Sequence, residues 1–190
     1  MSLITKNAAL LLIDIQKGLD EVAFYGGGRN NPGAEQQAAA LLDRWRSLGL
    51  PIFHIRHSSQ NPDSPLHASK NGFSIKEAVK PLNGEPVITK NVNSAFIGTD
   101  LLELLKQVPT QTVVLAGLTT NHCVSSTARM AGNLGLQTFV VSDAVAAFDN
   151  RDLNGKHLDA ELMHQTALAS IQEEFATVTD TDHILSLLKT

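Results

Sequence analysis

The sequence predicts a three-layer α/β/α sandwich built on a mostly parallel sheet. Short, continuously apolar runs alternate with longer stretches whose apolar residues recur every three or four positions. The helical stretches are long enough, at ten residues or more, to carry right-handed crossovers between parallel strands. The 190 residues, 43% hydrophobic and 18% charged, have the composition of a globular chain with a core of its own.

Ala8 to Ile13 is an unbroken apolar run, as expected of a strand covered on both faces. It stops at Asp14, and Gly26-Gly27-Gly28 with Asn30, Asn31 and Pro32 marks a long loop. From Gly33 to Leu48 the residues Ala38, Leu41, Leu42, Trp45 and Leu48 form one helix face, and Gly49 ends it. Pro51 to Ile55 reads as the second strand. Residues 56–86 hold four prolines and two glycines, which predicts a long excursion with little regular structure, of a kind that is usually functional. Val87-Ile88-Thr89 is a brief strand leading to Lys90. Thr99 or Asp100 can cap a helix through Lys106. Thr112 to Ala116 gives a strand, Asn121 to Asn133 a helix and Gln137 to Val141 another strand. Ala160 to Glu174 reads as helix, Phe175 to Val178 as a last strand and Asp180 to Leu188 as a closing helix. No repeat or linker interrupts the pattern, so residues 1–190 are expected to form one domain.

The net charge of −4 gives no basic footprint, which argues against nucleic acid as the partner. One cysteine cannot form an internal disulfide. No basic leader or stretch of ~18 apolar residues is present, so the expectation is a cytoplasmic protein with no membrane partner.

Open α/β sheets bind ligands outside the carboxyl ends of their strands. Asp14, Lys90 and the Gly117–Cys123 turn all fall at such ends. If their strands lie side by side, an acid, an ammonium and a thiol meet in one crevice. Cys123 stands where a loop becomes a helix, and a thiol there faces unsatisfied N–H groups that favour thiolate below the ordinary ~8.5. Those N–H groups can also hold an oxyanion. Alternatively, a lone cysteine is a small buried hydrophobe, Asp14 a loop cap or metal ligand and Lys90 a solvated surface lysine.

The residues Leu11-Leu12-Ile13-Asp14-Ile15-Gln16, Thr89-Lys90 with Ser94-Ala95-Phe96, Gly117-Leu118-Thr119-Thr120-Asn121-His122-Cys123-Val124 and Val141-Ser142-Asp143-Ala144 occur in this order. The set resembles the isochorismatase-like cysteine hydrolase superfamily, which includes nicotinamidases and related amidases, over residues 8 to about 178. The resemblance implies a Rossmann-like central sheet and hydrolysis of an amide-type C–N bond of a small molecule through a thioester. Cys123 would be the nucleophile, Asp14 its proton acceptor and Lys90 the charge that holds both. It also implies a cis peptide at Leu118–Thr119, with the backbone N–H groups of Thr119 and Cys123 forming the oxyanion hole.

Relatives that bind zinc or iron carry an Asp-x-His arrangement after the second strand. Here that stretch reads His54-Ile55-Arg56-His57, with His67 further on, so no metal and no cofactor are expected. Leu19 stands where many relatives have Phe, leaving Phe24, Tyr25 or Phe96 to supply an aromatic wall. Gln16, Tyr25, His57, Asn93 and Phe96 are the candidate substrate contacts. Asn121 is expected to cap the helix, His122 to face away from the thiol, and Asp143 to support the loop after its strand. Arg29 or Arg56 could meet an acidic substrate or be solvated. By analogy the chain is expected to form a homo-oligomer. The competing functions are a small-molecule-binding protein without catalysis and a thiol redox sensor, the latter lacking a resolving cysteine.

Overall fold

The computed structural model describes residues 2–189. Six parallel strands form the central sheet: β1 (Ala9–Ile13), β2 (Ile52–His57), β3 (Val87–Lys90), β4 (Thr112–Leu118), β5 (Gln137–Ala146) and, last in the chain, β8 (Thr177–Thr179). Their spatial order is β3-β2-β1-β4-β5-β8. A separate antiparallel hairpin joins β6 (Asn150–Arg151) to β7 (His157–Leu158).

The unbroken apolar run of β1 follows from its central place, because both of its faces are covered. On one face Leu10 and Leu12 pack with Ala38, Leu41, Leu42 and Trp45 of α1 (Ala34–Leu48), and Ile184 of α5 (Thr181–Leu187) joins them. The Trp45 indole is fully buried and donates to the Ala8 carbonyl at 2.8 Å, so its one polar atom is satisfied. On the other face Leu11 and Ile13 meet Leu101 and Leu105 of α2 (Leu101–Gln107), Ala128 and Ala131 of α3 (Ser125–Asn133), and Leu168 of α4 (Ala160–Ala169). These are the three layers the alternation predicts. Asp159 and Asp180 accept from the backbone N–H groups of Leu162 and His183 at 2.8 Å and so fix the starts of α4 and α5.

Several boundaries differ from the sequence expectation. β5 runs five residues further, across a register shift against β4 between Leu115 and Gly117. Asn31 donates to the Ser142 and Val145 carbonyls at this irregular stretch. α4 stops at Ala169 rather than 174, where Ile171 turns into the core. The helix expected from Asn121 starts instead as a π turn over Thr120–Val124. Asp143 lies within β5, and its Oδ1 accepts from the Thr181 N–H and hydroxyl at 2.9 Å, so it anchors α5 rather than the nearby loop. β2 runs on to His57, and the rest of the 56–86 excursion carries only two short 3-10 turns. No helix among the described residues is long and apolar enough to cross a membrane.

Candidate active site

Four adjacent strand ends build the site. Asp14 follows β1, His57 ends β2, Lys90 ends β3, and Cys123 lies in the π turn after β4. The strands that lead to the acid and the thiol, β1 and β4, are neighbours, but β2 separates β1 from the β3 that carries the ammonium. Lys90 spans that gap. Its Nζ lies 2.6 Å from Asp14 Oδ2 and 3.2 Å from Cys123 Sγ. The Lys90 side chain is 0% exposed and that of Asp14 2%, so neither is a surface residue.

Local backbone geometry brings the turn onto β1. Gly117 has φ +128°, and a Cβ there would come within 1.9 Å of the Ile13 carbonyl oxygen. Only glycine allows that approach. The peptide between Leu118 and Thr119 is cis. Asp14 itself has φ +50°, a left-handed conformation uncommon for a residue with a side chain.

Burial dominates the electrostatics. It raises the Asp14 carboxyl above the usual range by more than Lys90 takes back. Burial first, and then the Asp14 charge, pushes the Cys123 thiol up to about 12, with Lys90 pulling the other way. The sequence expectation of a depressed thiol is thus corrected: the half-buried Cys123 side chain loses more to desolvation and to the Asp14 charge than Lys90 returns. A thiol and a carboxyl that burial has both raised thus lie beside the same ammonium.

These groups open into a cavity of about 580 Å³. Its apolar wall includes Leu19, Leu66, Leu118 and a stacked pair, Tyr25 on Phe148, with ring centroids 5.1 Å apart. Among the described residues, six buried side-chain polar atoms lack a hydrogen-bond partner. Four of them, on Asp14, Tyr25, Thr119 and Asn121, belong to residues lining this cavity. A folded chain rarely leaves such groups unpaired, and their concentration here suits a polar ligand.

Of the candidate contacts, Tyr25, His57 and Asn93 line the cavity, and Asn93 Oδ1 faces Cys123 Sγ at 3.9 Å. Gln16 and Phe96 do not. The Gln16 amide is spent on the His57 N–H and on the carbonyls of His57 and Phe73, and Phe96 packs against the core. Asn121 does not cap the helix; its Nδ2 turns to His122 Nε2 at 3.3 Å. His122, expected to face away, lines the cavity because the wider π turn keeps consecutive residues nearer one side. Arg29 is engaged by Glu35 and Arg56 by the Phe73 ring, while His67 Nδ1 pairs with Ser69. Sequence reasoning missed Phe148, Asp149, Asn150, Arg151 and His157, which the β6–β7 hairpin brings to the cavity. The Asn154-Gly155 dipeptide was the available hairpin signal.

Fold and site together define an α/β protein with a buried acid–ammonium–thiol cluster facing a small-molecule cavity. The chain belongs to the isochorismatase family, whose domain matches residues 8–183. It is 47% identical over 181 residues to the isochorismatase-family protein YrdC of Bacillus subtilis, covering 95% of this chain and 96% of that one. A maleamate amidohydrolase of Pseudomonas putida is 32% identical over 161 residues, 74% of this chain and 72% of the relative. An isochorismatase-family structure from Chromobacterium violaceum superposes with a TM-score of 0.91 at 41% identity, covering 95% of this chain and 93% of that one.

Proposed function

We propose that the chain is a cysteine hydrolase that cleaves an amide-type C–N bond of a small molecule, with Asp14, Lys90 and Cys123 as its triad. The observation that carries this reading is the Lys90 ammonium in contact with both the Asp14 carboxylate and the Cys123 sulfur. The family includes amide hydrolases such as the P. putida maleamate amidohydrolase, and the cavity has room for a small substrate.

In the first half-reaction Asp14 takes the thiol proton as Cys123 Sγ attacks the carbonyl carbon. The backbone N–H groups of Thr119 and Cys123 hold the oxyanion. Lys90 offsets the charge passing between sulfur and carboxylate. Collapse breaks the C–N bond, Asp14 returns the proton to the departing amine, and a thioester remains. Water, deprotonated by Asp14, then releases the acid. Raised basicity at Asp14 suits this exchange, because a general base works best with a pKa closer to the operating pH. Tyr25 and Asn93 contact the rest of the substrate.

An ammonia-release screen over amides, ureides and carbamoyl compounds tests the reading, with Cys123→Ala as the blank. Turnover by the parent and none by the variant is expected. Ammonia released by Cys123→Ala at the parent rate would end the nucleophile assignment. A binding protein would release none from any compound.

A further inference from the structure

Lys90 has a third partner that the reaction above does not use. A lysine ammonium has three N–H donors and no acceptor. Two point at Asp14 Oδ2 and Cys123 Sγ, and the third meets His57 Nδ1 at 3.3 Å. Strand order explains why a histidine stands there. Lys90 ends β3, Asp14 follows β1, and β2 runs between them, so the lysine must cross two strand spacings, roughly 10 Å. His57 pairs in register with Lys90 at the end of the intervening strand. One accepting atom each of Asp14, His57 and Cys123 lies within 4.8 Å of the other two, and the cation among them is the chain's own.

His57 is in turn fixed. Gln16, completely buried, accepts from the His57 N–H at 2.8 Å and donates to its carbonyl at 3.0 Å. We propose that His57, clamped by Gln16, is the positioning residue for Lys90: it takes the third ammonium hydrogen so that the other two stay aimed at the carboxylate and the sulfur. This rests on the triad reading. Because Lys90 can only donate, Nδ1 accepts and the ring proton is on Nε2. The charged and titratable groups facing the ring are Lys90 and Asp14, with Cys123 beyond the ammonium, and burial followed by Lys90 keeps the imidazole neutral at pH 7.

Alkylation by iodoacetamide reads this without knowing the substrate, since Cys123 is the chain's one cysteine. The sulfur–carbon bond forms, iodide leaves and the thiol proton passes to Asp14. The rate is measured at pH 7 for the parent and for Lys90→Met, His57→Phe and His57→Asn. His57→Phe keeps a ring but no acceptor, and His57→Asn places an oxygen close to where Nδ1 was. Expected is a roughly ten-fold slower rate at pH 7 for His57→Phe, with His57→Asn restored to within about three-fold. A slow Lys90→Met beside a parent-like His57→Phe would overturn the positioning role and leave the triad standing. A parent-like Lys90→Met would overturn both. If His57→Phe does not fold, His57→Ala titrated with free imidazole makes the same comparison: recovery supports the role, and a flat response refutes it.

Discussion

Asp14 and Glu35 are two carboxylates in the same environment of lysines, and they titrate in opposite directions. Each has a lysine Nζ at 2.6 Å, Lys90 for Asp14 and Lys76 for Glu35. Burial pushes both upward. Glu35 overcomes it, because Arg29 donates through two nitrogens at 2.8 and 2.6 Å and Lys76 adds a third charged bond, bringing the carboxyl down to about 2. Asp14 has Lys90 as its one ammonium partner, with Cys123 and His57 lowering it less, keeps one buried oxygen without a hydrogen-bond partner, and stays raised. One cation does not repay the desolvation of a buried carboxylate, whereas a bidentate guanidinium and an ammonium together do. The saturated carboxylate pins a loop. The undersaturated one is left free to take a proton.

The largest expected effect breaks this comparison at its reactive end. Asp14→Asn should lower kcat/KM for the amide found by the ammonia screen by about 10³-fold, the usual loss for a general base. Glu35→Gln should leave kcat within about two-fold and instead cost roughly 3 kcal/mol of stability by denaturant unfolding, because Arg29 and Lys76 lose a shared buried partner. Catalytic loss in Glu35→Gln with unchanged unfolding would reverse the assignment.

The pH dependences should differ in sign. Glu35 is held well below its ordinary value of 4.5, so its contribution to stability is complete above that value and is lost as pH falls toward 2. The gap between the unfolding midpoints of the parent and Glu35→Gln should therefore be constant above pH 5 and close on acidification. Asp14 works the other way: its ionisation costs stability at neutral pH, and the fold recovers that cost as pH falls through its raised pKa. Activity should fall over the same acid range, with an apparent pKa above the ordinary carboxylate range. An acid limb at or below the ordinary value would show that burial does not govern Asp14.

The layers were legible because a two-sided strand and a one-sided helix leave different periodicities. The apolar run before Asp14 and the spacing of Ala38, Leu41, Leu42 and Trp45 have no other economical reading. That Asp14, Lys90 and Cys123 fall at strand ends was equally visible. Strand order was not, since nothing local says that β2 lies between β1 and β3, and so the contact between His57 and Lys90 left no mark in the sequence. Gln16 was misread for a related reason: an amide two residues after Asp14 looks aimed at the cavity, and only the tertiary path of β2 and of Phe73 gives it other partners. The raised thiol was hidden because a helix start is a sequence feature and desolvation is not.

Asp149 gives the smallest and sharpest version of the comparison. It lines the same cavity as Asp14, so location alone would class the two together; partners place it with Glu35. Its Oδ2 meets His157 Nε2 at 3.0 Å, its Oδ1 accepts the Ala160 N–H at 2.8 Å, and its carboxyl is lowered by His157 first. The glycine loop lies directly on it: a Cβ on Gly26 would meet the Asp149 carbonyl oxygen at 2.1 Å and one on Gly28 its Oδ2 at 2.4 Å. Asp149 therefore ties the hairpin to the loop that carries Tyr25, and its work is to hold the cavity wall in place. Asp149→Asn keeps the shape and removes the charge, so it should raise KM by roughly three-fold, as expected for a partly exposed pair, with kcat nearly unchanged. A fall in kcat with KM constant would mean that a carboxylate on this rim acts on the reacting bond, and that hydrogen-bond saturation does not separate the two kinds of acid in this fold.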